Sequence, residues 1–474
     1  MLSSIKKSSF YGTLVHTKNY LITALANEGI KFISIPVLTY LLTTSDYGIL
    51  NIFASWVSIL SVLVVFNLNG SISRYFYEYS EDFKQFLGFS IVITSLVFGV
   101  STFFILLFRE SLAGLLELPD MLIYFLIPAI LFEVINITFR QVYQPIKESK
   151  RIKKYSIGTV YLTFILTVAF ILLREDTKYI GRLQALIVVS GVYSLIKLRD
   201  VFKYYAFGYK RSYLSYIAKF SLPNIPYLLS GVILSQFDRI LINSELGSSQ
   251  AGLYSFAYNI GALQIMLSNS IHNAWTPQYY AHMKDNNQGA IIKDASLYSK
   301  LIALGATFLI LFGMELGRVL SSASYHESLN MIPWIVFGLF FVGISPFNKN
   351  AIQYVKKTHI NAILTLSVGV INIILNIWLI PVYGAIAAAY TTLFCYFLLF
   401  SVEFMVVKYF LKIPIVPLKT FSLPFVIVLI SLTLFYLFFS GTELNLITLV
   451  LKACAIGILT LLLFYKEINT NLIK

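Results

Sequence analysis

The stretch NIPYLLSGVILSQFDRILINSELGSSQAGLYSFAYNIG, Asn224 to Gly261, decides how the chain is read. An apolar run enters Asp238-Arg239, breaks at a short polar turn around Gly247-Ser248-Ser249, and resumes as a second apolar run. Each limb approaches the roughly 20 residues that a helix needs to cross a bilayer. A charge inside such a limb is costly and marks a functional site by default. The stretch is therefore a hairpin of two membrane helices with a carboxylate in the first.

Composition agrees. Of 474 residues, 58% are hydrophobic and 12% charged, and the mean hydropathy is +0.77. Soluble domains are about a quarter charged, so the chain is a membrane protein. A net charge of +14 in a soluble protein would suggest nucleic acid. In a membrane protein it reports orientation, because cytoplasmic loops collect Lys and Arg, and no nucleic-acid partner is expected. Cys395 and Cys454 lie far apart in apolar runs, and the five histidines (His16, His272, His282, His326, His359) have no metal-ligand spacing. No GxxxxGK[ST] phosphate loop occurs. Connections between apolar runs are short, leaving no extramembrane domain for an active site. The expectation is a protein that is not an enzyme and has no metal or cofactor.

Fourteen runs qualify as spans, beginning with Tyr20–Leu42 and Tyr47–Asn69 and ending with Phe421–Ser440 and Asn445–Tyr465. The first is read as an uncleaved span, since hydrophobicity continues past the Ala24-Leu25-Ala26 cleavage-like site. The fold class is an all-α polytopic membrane protein. With the N-terminus inside, 26 of the 36 Lys and Arg fall on inner segments and 5 on outer ones, Arg182 among the latter. That asymmetry places both termini in the cytoplasm.

The opening hairpin has an echo. Ser45-Asp46-Tyr47-Gly48 and Ser249-Gln250-Ala251-Gly252 both match Ser-x-x-Gly at an offset of 204 residues. In the first span Tyr20, Thr23, Asn27, Lys31 and Ser34 recur every three or four residues as one polar face. The same offset gives Asn224, Tyr227, Gly231, Ser235 and Asp238, again a small or polar stripe. The chain thus divides into a six-helix half at 1–219, a second at 220–407, and two added helices at 408–474. Neither stripe suits lipid, so both are expected to face protein or a water-filled cleft, with Lys31 and Asp238 opposed across it.

The intramembrane charges are weighed one by one. Glu28 and Lys31, at i and i+3, can neutralise each other. Asp238 lies on the stripe, while Arg239 is expected to snorkel to the interface. Arg140, in the same span as Glu133, and Lys349 sit near the inner ends of their spans, whereas Glu403 and Lys452, outside or at the edge of the core helices, read as structural. Tyr254, one turn from Tyr258, is a candidate for stacking on sugar.

Three segments carry a resemblance. Phe237–Gly261 (FDRILINSELGSSQAGLYSFAYNIG), Pro36–Phe53 (PVLTYLLTTSDYGILNIF) and Ile380–Thr392 (IPVYGAIAAAYTT) resemble hairpins of bacterial polysaccharide flippases. Those flippases belong to the multidrug/oligosaccharidyl-lipid/polysaccharide exporter superfamily. The resemblance implies two six-helix bundles in a V around a central cavity, plus two C-terminal helices. It implies alternating-access transport, from the inner to the outer leaflet of the bacterial cytoplasmic membrane, of an undecaprenyl-diphosphate-linked oligosaccharide such as an O-antigen unit of lipopolysaccharide. Lys31 and Arg140 are the cations it would set against the anionic head group. Asn27, Asp238, Lys349 and Tyr254 complete the substrate-binding candidates, and Asp238 and Glu28 are the ion-coupling candidates. Coupling to a proton, a sodium ion or the membrane potential stays open. Membrane lipid, a polysaccharide polymerase and chain-length proteins are the remaining partners. The alternatives are a cation-coupled multidrug exporter of the same superfamily and a membrane glycan polymerase.

Overall fold

The computed structural model describes residues 22–472 except 24, 25, 28, 414, 415 and 442–444, so Glu28 lies outside the described residues. Among the described residues there is no strand. The chain divides into two compact units, residues 1–233 and 234–474.

The first unit holds α1 (Gly29–Leu41), α2 (Thr44–Val65), α3 (Leu68–Glu78), α4 (Phe83–Leu107), α5 (Arg109–Leu116), α6 (Asp120–Tyr143), α7 (Ser149–Leu172), α8 (Lys178–Val201) and α9 (Arg211–Ser221). The division falls within α10 (Ile225–Leu246), later than the expected boundary at 219. The second unit continues with α11 (Ser248–Gly261), α12 (Leu263–Lys284), α13 (Gln288–Val319), α14 (Ile332–Ile344), α15 (Pro346–Tyr354), α16 (Thr358–Tyr383), α17 (Ile386–Met405), α18 (Lys419–Leu434) and α19 (Leu446–Leu472). Residues 408–474 belong to this unit, where α18 and α19 both pack on α13.

Eleven helices among the described residues are long and apolar enough to cross a membrane, against the fourteen spans expected. Each difference has a cause. Of the first span, only the short apolar helix α1 is described as such. The sixth run is α8, long enough but carrying Lys178, Arg182, Lys197, Arg199 and Asp200. The eighth is broken after Gly261, where a Cβ would meet Ile335 Cγ2 at 2.8 Å. The following α12 then includes Gln264, Asn269, His272 and Asn273.

Local chemistry sets the helix starts. Thr43 and Asp46 form a reciprocal capping box at the start of α2, a device that satisfies orphan N–H groups at a helix start. The two Ser-x-x-Gly segments occupy the first turns of α2 and α11, the second entered through Gly247 at φ +85°.

In the first unit, the segment before α9 is tied to α4. Ala206 N–H donates to Lys84 O at 3.1 Å, and a Cβ on Gly88 would meet Ala206 O at 2.1 Å. Asp82 then accepts from Lys210 Nζ at 2.7 Å, Tyr213 OH at 2.9 Å and Tyr75 OH at 2.9 Å. Burial pushes the Asp82 carboxyl upward, but the bonds from Lys210, Tyr75 and Tyr213 outweigh it and hold it below the ordinary range. Glu78 accepts from Arg74 and from Tyr216 of α9, which completes a polar clasp on this helix.

In the second unit, Lys452 Nζ of α19 donates to Glu315 Oε1 of α13 at 2.6 Å. Its side chain is 0% exposed and lies over the Phe435 and Phe439 rings. Lys452 is therefore a buried ion-pair partner.

Candidate functional site

A cavity of about 810 Å³ lies inside the first unit, within the range of sites that hold drug-sized ligands. Five helices each give it one face, and Val232 of α10 adds to the lining. Asn27 and Lys31 lie one turn apart, and α2 adds Leu50, Phe53, Val57, Ser58 and Ser61. From α6 come Ala129, Phe132, Glu133, Asn136 and Arg140; from α7, Ser156 and Thr159. The α8 face is Arg182, Leu186, Ser190, Ser194 and Lys197, spaced at 4, 4, 4 and 3 residues. Such spacing places all five on one side of a helix.

Four cations (Lys31, Arg140, Arg182, Lys197) and one carboxylate (Glu133) face this space. Lys197 Nζ donates to Asn136 Oδ1 at 2.9 Å, and Asn136 lies one turn from Arg140 on α6. Arg140 and Lys197 therefore share one end of the cavity. Asn27 Nδ2 donates to Ser156 Oγ at 2.8 Å and extends the polar lining there. Arg182 lies near the opposite end of α8, beside Leu183 and Leu186. A low-dielectric chamber with more cations than anions attracts an anionic group.

The structure brings Asn27, Lys31 and Arg140 to one cavity and adds Arg182, Lys197, Glu133 and Asn136. Arg182 does not belong to an outer loop, as its position in the sequence suggested. The heptad-like stripe on α8 was the available signal.

Asp238 is elsewhere. It is 2% exposed, and the partners described here all belong to the second unit. Oδ2 accepts from Tyr254 OH at 2.8 Å and Thr392 Oγ1 at 2.7 Å, and Oδ1 accepts from Asn376 Nδ2 at 2.7 Å. Behind Asn376, Thr391 donates to its amide oxygen, and Asn376 Nδ2 also reaches Asn372 Oδ1 at 3.2 Å. The result is a buried carboxylate held by two hydroxyls and an amide N–H, from α11, α17 and α16.

Two neighbours depart from expectation. Arg239 is buried and does not snorkel. Its Nη1 donates to Ser235 O at 2.9 Å and Gln236 Oε1 at 2.6 Å, and its guanidinium lies 4.6 Å from the Tyr258 ring centroid. These contacts hold the guanidinium inside the unit. Tyr254 is wholly buried, so it supports Asp238 and presents no face to a sugar. Lys349 also belongs to the second unit, with Nζ 3.8 Å from Oε1 of Glu403, which is 0% exposed.

Residues 16–281, more than half of the chain, match the family model described as polysaccharide biosynthesis protein. The chain is 25% identical over 275 residues to Lsg locus putative protein 1 of Haemophilus influenzae; the match covers 56% of this chain and 65% of that protein's length. It is 21% identical over 378 residues, 77% of each chain, to the probable low-salt glycan biosynthesis flippase Agl15 of Haloferax volcanii. The lipid II flippase MurJ in an inward closed conformation superposes with a TM-score of 0.74 at 15% identity, covering 96% of this chain and 100% of that one. An inward-facing multidrug resistance MATE family transporter of the MOP superfamily superposes at 0.63 with 14% identity, covering 82% and 94%. Structural likeness at this identity speaks to fold, and the family match speaks to lineage: the chain has the exporter fold and belongs to the polysaccharide biosynthesis protein family.

Proposed function

We propose that the protein is a flippase that carries the head group of a polyprenyl-diphosphate-linked oligosaccharide across the cytoplasmic membrane, from the inner to the outer leaflet. The observation that carries this reading is the cavity of the first unit, where four cations face one carboxylate. A diphosphate needs such a site, because an anion in hydrocarbon is prohibitively costly, and Arg binds phosphate oxygens in a fork. The prenyl tail is already at home in lipid. The hydroxyl and amide groups of Asn27, Ser156, Asn136 and Ser194 suit a sugar. A multidrug exporter that takes cationic drugs would call for an acidic lining, which this cavity lacks. The flippase named among the relatives supports the same class of substrate.

With Lys197 and Arg182 in the cavity, the remaining inner and outer basic residues number 25 and 4, which supports an orientation with both termini in the cytoplasm. With the cytoplasm negative, each anionic charge moved outward gains roughly 2.3 kcal/mol per 100 mV. Asp238 is the proposed coupling group. A carboxylate among oxygen donors can hold a proton or an alkali cation once the Tyr254 and Thr392 hydroxyls and the Asn376 amide turn their oxygens inward. The O-antigen unit remains our proposed cargo.

The test is reconstitution in liposomes with labelled undecaprenyl-diphosphate-N-acetylglucosamine. Purified protein should move the label between leaflets, and Arg140→Ala with Lys197→Ala should stop it. Unchanged transfer by the double variant would remove the cavity from the function.

A further inference from the structure

The cavity has two cationic ends. Arg182 and Lys197 lie on the same face of α8, fifteen residues apart, which is about 22 Å along a helix. A diphosphate is far shorter than that, so one bound diphosphate does not reach both. Between them the α8 face is Leu186, Ser190 and Ser194, without charge. At the Lys197 end, Asn136 and Glu133 of α6 lie beside the cations. At the other end no carboxylate among the described residues pairs with Arg182, although the arginine is half-buried. A partly buried charge without a counter-charge is unfavourable unless a ligand supplies one.

We propose that Arg182 is a second docking point for the anionic head group, occupied after it leaves the Arg140–Lys197 end. The inference rests on the flippase reading and on its orientation, which puts Lys197 near the cytoplasmic end of α8 and Arg182 near the outer end. Loading then takes place on Arg140 and Lys197. The uncharged serines give the head group hydrogen bonds without a deep electrostatic well, and Arg182 draws it outward. Transport needs stations tight enough to enter and weak enough to leave, a condition that adjacent sites along a path satisfy. In this scheme Arg182 sets the rate of transfer and not the affinity of loading.

Two measurements on the intact protein separate these roles: equilibrium binding of labelled undecaprenyl-diphosphate-N-acetylglucosamine in detergent, and transfer of the same probe in liposomes. Lys197→Ala should weaken binding by about tenfold or more. Arg182→Gln should leave binding within about twofold while slowing transfer by at least about tenfold, and Arg182→Lys should keep most of the transfer rate. Loss of binding in Arg182→Gln equal to that in Lys197→Ala would overturn the two-station scheme and leave a single site. Wild-type transfer by Arg182→Gln would overturn it too. If Arg140→Ala and Lys197→Ala also bind the probe as wild type does, the flippase reading fails with it.

Discussion

Asn376 Nδ2 donates to Asp238 Oδ1 at 2.7 Å, joining α16 to α10 across 138 residues of sequence. With Tyr254 and Thr392 on the other oxygen, the carboxylate has three side-chain donors in a fully buried setting. Asp238→Asn keeps the shape and removes the charge. It should remove the dependence of liposome transfer on an imposed proton or sodium gradient, with membrane abundance near wild type. Transfer that still follows the gradient would exclude Asp238 as the coupling group.

Tyr254→Phe separates support from sugar contact. The variant removes one donor to Asp238 and leaves the ring in place, at a cost near 1 kcal/mol in thermal unfolding. The ion dependence of transfer should shift, and the affinity for the labelled lipid-linked sugar should not. A fall in affinity alone would return Tyr254 to the substrate path.

Lys197 and Arg140 share the polar end of the cavity, and hydrogen bonds to charged groups are worth about 1.5–3 kcal/mol. Each single alanine variant should therefore weaken probe binding by about 10- to 100-fold. Titration of protein with the labelled lipid measures this directly. Affinity should also fall as salt is raised, though less steeply than for exposed charges.

Asp82 holds the segment before α9 through Lys210, Tyr213 and Tyr75. Its carboxyl is held below the ordinary range in the fold. The stabilisation is thus fully present above the unfolded value near 3.9 and is lost as pH falls through the lower folded value. Amide exchange of residues 205–221 should be unchanged between pH 7 and 5 once corrected for intrinsic rates, and Asp82→Asn should raise it at both. Equal protection in the variant would dissolve the clasp.

Much of the fold was legible, because a bilayer demands long apolar runs and these are written in composition. Even α8, whose ends are crowded with charges, is legible as an apolar run, Tyr179–Leu198. The cavity was partly legible. Lys31 and Asn27 stand out by polar spacing and Arg140 as a charge inside an apolar run, whereas Arg182 and Lys197, near the two ends of their run, count with the flanking basic segments. Asp238 was singled out by its cost in lipid, but its setting was not legible. The groups that hold it come from α16 and α17, and no local pattern in the chain states which helices pack together.

Lys452 and Glu315 form a buried pair, and removing one partner of such a pair typically costs about 3–5 kcal/mol. Lys452→Ala should lower the unfolding temperature markedly, while Glu315→Leu with Lys452→Met should recover most of it. Failure of the double replacement to recover stability would mean that the pair does more than satisfy its own charges.

The same pair has a consequence during synthesis. Glu315 enters the membrane 137 residues before Lys452 exists, an interval of roughly 7–27 s at ribosomal rates of about 5–20 residues per second. Until α19 arrives, α13 holds Glu315 without its Lys452 partner. Helix α19 thus completes an electrostatic debt left by α13, and a chain released before residue 446 should be recognised and degraded as unfinished.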